Sequence, residues 1–255
     1  MKSLADWVRK TLYSILPLDW YLRILSKLYL IAFRMGLLKN SLEYAYPYFL
    51  HKIIKPGEVC IDIGANLGYM TTLYSRLVGK EGKVYAVEPV QPMLNALRAN
   101  TKGMDNVEIL PYALGEENKS IQLGNSSVRK QGFMASGRHE IITANADTDI
   151  RFEATMKRGS ELFGQLNKID FIKCDIEGYE TVVIPEIKPI ITQHRPILLI
   201  ESRGDDRIMM MQFFRELNFQ SFIIEDNRLI PASPDDYLDI LIIPEEKLGS
   251  FKHLI

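Results

Sequence analysis

Cys60-Ile61-Asp62-Ile63-Gly64-Ala65-Asn66-Leu67-Gly68-Tyr69 decides the reading of this chain. The apolar run over residues 59–63 predicts a buried parallel strand. Residues 70–78 predict a helix, and residues 83–87 a second strand that ends on Glu88, twenty residues past Gly68. Strand, glycine turn, helix, strand and acid is the layout of a Rossmann-type nucleoside site. Gly64 and Gly68 permit a sharp turn and a close approach of the backbone. Asn66 stands where a third glycine would stand, and Asn tolerates the left-handed region. Glu88 can accept two hydrogen bonds from a ribose diol.

The turn reads Asp-x-Gly-x-Asn-x-Gly rather than Gly-x-Gly-x-x-Gly. A dinucleotide needs backbone N–H groups at a helix start to hold its pyrophosphate. S-adenosylmethionine (SAM) carries an ammonium and a sulfonium and no phosphate, so an acid in the turn, Asp62, favours it. The hydroxyls of Thr71 and Thr72, at the start of the next helix, are placed to bond a carboxylate, with the positive end of the helix dipole beside them. An NAD-dependent oxidoreductase is the competing reading.

Outward from this turn, strands and helices alternate. Strands are expected over residues 107–110, 169–174, 196–200, 222–224 and 238–243, and helices over 42–54, 93–100 and 208–217. Residues 180–191 are expected to be partly helical, with Pro185 shortening or kinking the helix. The sum is a doubly wound, mostly parallel seven-stranded α/β sheet whose last pair forms a hairpin with one antiparallel strand. Residues 55–255 form this domain. Residues 116–168, polar and glycine-bearing, are expected to be an irregular substrate-binding insertion with short strands at 120–123 and 150–155.

Residues 1–54 are expected to be a helical extension or cap. The first 40 residues hold seven Lys or Arg against Asp6 and Asp19, a surplus of five positive charges, whereas the rest of the chain carries a net −6. Both tryptophans, Trp7 and Trp20, lie here, and Leu4, Trp7, Val8, Leu12, Ile15, Leu22, Leu25, Leu28 and Ile31 recur at helical spacing. The favoured expectation is a stripe packed on the main domain. Peripheral contact with an anionic membrane is the other. No apolar run is long enough to span a bilayer, and the opening residues do not form a secretory leader. Cys60 and Cys174 fall in expected core strands without metal-ligand spacing, so structural thiols in a reducing cytoplasm are expected. With a net charge of −1 nothing points to nucleic acid, and the scattered histidines form no zinc pair.

Acids cluster at the expected strand ends: Glu88, then Asp175 with Glu177, then Glu201. Ligands bind at the carboxyl ends of strands in open α/β sheets. Lys173 alternates onto one face with Asp175, and a lysine in a sheet core demands an acidic partner. Lys173, Asp175, Glu177 and Glu201 are therefore the catalytic candidates, with a structural ion-pair network as the other reading. His139 is weighed as a general base or as a solvated loop residue.

These motifs resemble the FkbM family of SAM-dependent methyltransferases. The matching pieces are Asp62 to Gly68, Val87-Glu88-Pro89, Asn106-Val107 through Ala113-Leu114-Gly115, Ile172-Lys173-Cys174-Asp175-Ile176-Glu177-Gly178-Tyr179-Glu180, and Pro196 through Glu201. The resemblance implies SAM as donor and O-methylation of a small molecule or sugar hydroxyl. It would put Asp62, Gly64, Asn66, Gly68 and Tyr69 by the methionine portion, Glu88 with Pro89 by the ribose, Ala113 and Leu114 by the adenine, and Asp175 near the methyl. The family's Thr-Leu-Asp-like segment corresponds here to Thr155-Met156-Lys157, so its acid is missing. Displacement needs the acceptor oxygen held ~3 Å from the donor carbon and its proton removed, by Asp175, Glu177 or Glu201 or with help from Mg²⁺. A non-catalytic SAM-binding partner protein is the remaining alternative.

Overall fold

The computed structural model describes residues 4–39, 42–143 and 145–255, with the side chains of residues 4, 5 and 42–45 excepted. Lys2 of the basic segment and the Leu4 side chain lie outside the described residues.

Three helices come first: α1 (Leu4–Ile15), α2 (Leu18–Arg34) and α3 (Leu42–Phe49). The nucleotide-type unit is β1 (Val59–Ile63), α4 (Tyr69–Val78), β2 (Lys83–Val87), α5 (Gln91–Asn100) and β3 (Val107–Leu110). After β4 (Ala113–Leu114), the insertion holds β5 (Lys119–Asn125), α6 (Ser127–Gln131), β6 (Glu140–Ile142), β7 (Ile150–Lys157) and α7 (Gly159–Phe163). The second half is β8 (Phe171–Cys174), α8 (Glu180–Glu186), α9 (Lys188–His194), β9 (Ile197–Ile200), α10 (Gly204–Glu216), β10 (Phe219–Glu225), β11 (Arg228–Pro231) and β12 (Ile240–Pro244).

The main sheet has the order β11-β10-β12-β9-β8-β1-β2-β3. The strands from β9 to β3 are mutually parallel, and β12 runs antiparallel between β9 and β10. The expected seven strands are all present. An eighth, β11, adds an edge hairpin to β10. Its turn, Asp226-Asn227, takes left-handed backbone at both residues, which Asp and Asn tolerate. Pro185 acts as expected: helix α8 stops one residue later and α9 restarts at Lys188.

Strand alternation divides the core. Ile61 and Ile63 of β1, with Ile172 and Cys174 of β8, face Val183, Ile184, Ile191 and Phe214 on one side. Cys60 and Phe171 face Phe49, Leu50, Met70 and Tyr74 on the other. Asp62 and Lys173 are register partners across β1 and β8 and share the second face, under α3 and α4. Both cysteines are buried and free, as structural thiols would be.

The insertion is more regular than the segment with two short strands that was expected. It forms a second, four-stranded sheet of order β4-β7-β5-β6. The β5–β7 ladder runs from Lys119–Met156 to Asn125–Ile150 and contains the short strands expected at 120–123 and 150–155, with Ile121, Leu123, Phe152 and Ala154 alternating onto one apolar face. The N-terminal helices pack on the main domain through Tyr21, Leu22, Ser26 and Leu30 of α2, which are buried, whereas Trp7, Ile15, Leu28 and Ile31 of the expected stripe are exposed. Tyr21 and Leu22 join Met93 and Ala96 of α5 in one cluster, and Asn95 donates to Asp19 while Asn100 donates to Ser26.

Candidate active site

The chain leaves β1 in one direction for β2 and β3, and returns on its other side with β8 and β9. That reversal is the topological switch point, where a crevice opens beyond the strand ends. Here it is a cleft of about 2440 Å³, more than twice the ~1,000 Å³ upper range of ordinary small-molecule pockets. It is walled by the glycine turn, the ends of β2, β8 and β9, the insertion and the N-terminal helices.

The glycines of the turn are closely packed by protein. Gly64 adopts φ +78, and a Cβ there would lie 1.9 Å from the Asp175 carbonyl oxygen. Gly68 precedes α4 at φ +84, and a Cβ there would press on Leu97. Asn66, at φ 51, presents its backbone N–H to Glu88 Oε2 at 2.9 Å, and Val90 N–H bonds Oε1 at 2.8 Å. Glu88 thus has one acceptor site left on each oxygen. Burial drives its carboxyl up to about 7, against the pull of those two N–H groups. The Asn66 Oδ1 is buried and has no hydrogen-bond partner among the described residues. An orphaned acceptor in the wall of the cleft fits a donor group of a bound cofactor.

Asp62 and Thr71 do not reach this wall, contrary to expectation. Both are fully buried, and the Thr71 hydroxyl donates to Asp62 Oδ2 at 2.5 Å. The Thr72 hydroxyl donates to its own helix, at Tyr69 O. Thr71 therefore has no hydrogen left for a carboxylate, and Asp62 acts on the cleft from behind. Its role is to accompany Lys173. Burial disfavours the Lys173 ammonium, but Asp175 and Asp62 outweigh it and hold its pKa well above the usual range. Lys173 Nζ lies 2.8 Å from Asp175 Oδ2. The lysine in the core thus has the acidic partners that its burial required.

Asp175, Glu177 and Glu201 bring one carboxylate oxygen each within 4.8 Å of one another. Burial pushes Asp175 up, but Lys173 and a hydrogen bond shared with Glu201 keep it below its ordinary value. Glu201 moves the other way, raised by burial and by Asp175; the pair therefore retains one proton around neutrality. Glu177 is exposed at the cleft, yet partial desolvation by the surrounding protein and then Asp175 lift it to about 7. It stands at φ 58, which turns the chain sharply before Gly178. Its neighbour Glu180 ties this turn by accepting from the Ile176 and Gly178 N–H groups.

Two members of the site were missed in the sequence. Asp239 lines the cleft beside Glu201, with its carboxyl raised to about 6 by burial and then by Asp175. It precedes an antiparallel strand, and Ile240 pairs with Ile200. An acid before an antiparallel strand lies at the same sheet edge as an acid after a parallel one, so topology would have found it. Tyr46 of α3 lines the cleft too; burial, with help from Asp239 and Asp175 and against the pull of Lys173, sets its hydroxyl well above its ordinary range.

Pro89, Tyr112, Ala113 and Leu114 line another stretch of the cleft. Ala113 and Leu114 form β4, paired with Met156 and Lys157 of β7, and the Lys157 ammonium sits 4.9 Å from the Tyr112 ring centre. The segment that departs from the family pattern thus braces this wall. Tyr69 also lines the cleft, with its ring 4.1 Å from that of Tyr29 on α2. His139 is in the wall and packs edge-on against Phe152. Burial lowers it to about 4, so it is neutral at pH 7.

Residues 62–221 match the family described as "Methyltransferase FkbM domain". The chain belongs to the FkbM methyltransferase family. It therefore carries a SAM-dependent methyltransferase domain, and the oxidoreductase reading finds no support. Curated relatives match a smaller part. A protein-L-isoaspartate O-methyltransferase of Methanosarcina mazei is 43% identical over 88 residues, covering 34% of this chain and 32% of its own. One of Aeropyrum pernix is 31% identical over 67 residues, 26% of each. The chain spans a quarter to a third of the length of these relatives. Among solved structures, a methyltransferase FkbM from Methylobacillus flagellatus is similar at 16% identity and TM-score 0.49, over 77% of this chain and 50% of that one. A SAM-dependent O-methyltransferase from Thermotoga maritima gives 14% and 0.44, over 84% and 71%.

Proposed function

We propose that the chain methylates a hydroxyl oxygen of a small molecule or sugar, with SAM as donor. One observation carries this reading: three carboxyls meet at the ends of β8 and β9, beside the turn that holds Glu88 and Asn66. When bound, SAM supplies an electrophilic methyl on its sulfonium. Glu88 has two acceptor sites left for a ribose diol, and Asn66 Oδ1 awaits a donor. Ala113 and Leu114 offer an apolar wall to a base.

The chain's own acids handle the acceptor proton. Asp175 is kept ionised by Lys173 and its charge raises the basicity of Glu177 beside it. Glu177, poised near pH 7, has the basicity suited to take the proton, since a base works best when its pKa lies near the operating pH. Glu201 holds the proton it shares with Asp175 and limits repulsion among the acids. The curated relatives are O-methyltransferases by name, which agrees with oxygen as the receiving atom. Asp175→Asn and Glu177→Gln are expected to slow transfer by roughly 10²–10⁴-fold each, while calorimetric SAM affinity stays within a few-fold. Full activity in both variants would remove the acids from catalysis. Tight SAM binding with no turnover by wild type on a broad panel of hydroxyl acceptors would favour a non-catalytic binder.

A further inference from the structure

The outer face of α2 is left unused by the fold. Seven of the thirteen large apolar side chains exposed among the described residues lie between residues 7 and 37: Trp7, Ile15, Trp20, Leu28, Ile31, Met35 and Leu37. At 100° per residue, Trp20, Ile31, Met35 and Leu28 fall within a sector of about 80°. Lys27 and Arg34, both exposed, line one edge of that sector. The opposite face of the same helix is buried on α5, so this stripe is not a core face turned the wrong way. A contiguous exposed apolar patch rimmed by charge marks an interaction surface.

The charge identifies the occupant. The first 40 residues carry a surplus of five positive charges, on a chain otherwise net −6. A second copy of the chain would set this basic face against its like. An anionic lipid surface complements it, and Trp with Leu and Ile beside Lys and Arg is the composition of a helix lying in the membrane interface. No helix among the described residues is long and apolar enough to cross a bilayer, so contact would be in the plane. The patch is also continuous with the cleft: Leu28 and Leu37 are exposed and line it, and Ala32, Leu38 and Tyr46 carry the lining inward towards Asp175.

We infer that α2 seats this protein on an anionic membrane with the mouth of the cleft against the lipid, so that the acceptor is an amphiphile presented by the bilayer. The second half of this statement rests on the methyl-transfer reading above. The first half does not, and it is tested without turnover.

Trp7 and Trp20 are the chain's two tryptophans, and both lie on this segment. The 255-residue chain is mixed with vesicles of phosphatidylcholine alone, or with phosphatidylglycerol added, and followed by sedimentation and tryptophan fluorescence. Binding to the anionic vesicles, a blue shift and quenching by brominated lipid are expected, with loss of binding at high salt. Lys27→Gln with Arg34→Gln should weaken partition about 25-fold, at about fivefold per basic side chain. Trp20→Ser with Ile31→Ser should weaken it at least about tenfold. Leu37→Trp in a Trp7→Phe, Trp20→Phe background puts the reporter at the cleft mouth and should be quenched as well. SAM affinity is measured on every variant: unchanged values keep the methyltransferase site intact whatever the vesicles show. Wild type left in the supernatant with anionic vesicles, or variants that bind equally, overturn the inference. So does a wild-type dimer that Trp20→Ser with Ile31→Ser splits into monomers. Docking without quenching at residue 37 overturns the membrane-presented acceptor alone.

Discussion

SAM affinity should depend on pH through Glu88. In the free protein its carboxyl sits near 7, because burial opposes the charge more than the Asn66 and Val90 N–H groups favour it. Its remaining acceptor sites serve a diol only in the ionised form. A ligand that selects this form binds with an affinity scaled by the ionised fraction. From a pKa of about 7, affinity should be about 11-fold below its ceiling at pH 6 and about twofold below at pH 7, and reach the ceiling by pH 8. The sign is that of a raised acid: the proton is held below pH 7 and must leave on binding, so raising the pH helps. Glu88→Gln removes the titration and one acceptor. At the 1.5–3 kcal/mol typical of a hydrogen bond to a charged group, affinity at pH 8 should fall roughly 10- to 150-fold. Calorimetry at pH 6, 7 and 8, in buffers of different ionisation enthalpy, reads both affinity and proton release. The ligand's own amino group, Glu177 and Glu201 titrate in both proteins, so the difference between the two profiles belongs to Glu88. Equal slopes in wild type and Glu88→Gln would refute the reasoning.

Other expectations concern the frame of the site. Gly64→Ala should lower stability by several kcal/mol in urea titration, since the methyl would overlap the Asp175 carbonyl at 1.9 Å. Gly57→Ala, at φ +82 with open space around it, should cost only the ~1–2 kcal/mol of a left-handed alanine; equal losses would refute the crowding argument. Lys173→Met should destabilise by about 3 kcal/mol, the lower end for a broken buried pair, because it leaves buried Asp62 and part-exposed Asp175 without their cation; an unchanged urea midpoint would deny that pairing. Treatment with EDTA should leave methyl transfer unaltered, because Lys173 and the proton shared with Glu201 already balance Asp175. Loss of activity restored by Mg²⁺ would instead give Asp175, Glu177 and Glu201 a metal-binding role.

Much of this was legible in the chain because parallel strands announce themselves. Val59–Ile63, Lys83–Val87 and Val107–Leu110 are short apolar runs between turn signals, and the sheet order follows from right-handed crossovers once they are placed. Lys173 was legible for a different reason: a lysine in a core strand must have partners, and Asp175 stood two residues away. What stayed hidden depends on contacts distant in sequence. The direction of the Thr71 hydroxyl is set by Asp62 across the β1–α4 turn, and no local pattern distinguishes that from a hydroxyl aimed at a ligand. Asp239 was hidden because acids were sought after strands, whereas β12 runs the other way. Of the second sheet, β5 and β7 were legible as short alternating strands, whereas β4 and β6, of two and three residues, are too short to show a period.

The central pairing of β1 with β8 has a kinetic consequence. Val59 N–H reaches the Asp170 carboxylate across 111 residues of chain, and the glycine turn rests on the Asp175 carbonyl from the same distant segment. Closing a loop of that length costs about 4 kcal/mol of chain entropy before any contact made there compensates it, and such non-local pairings are formed slowly. The insertion and β8 must be in place before the turn around Gly64 has anything to lean on. On a ribosome, roughly the first two-thirds of the chain would emerge without a finished crevice. SAM added during refolding should therefore report the last cooperative step rather than template an early one, and it would slow unfolding without accelerating folding.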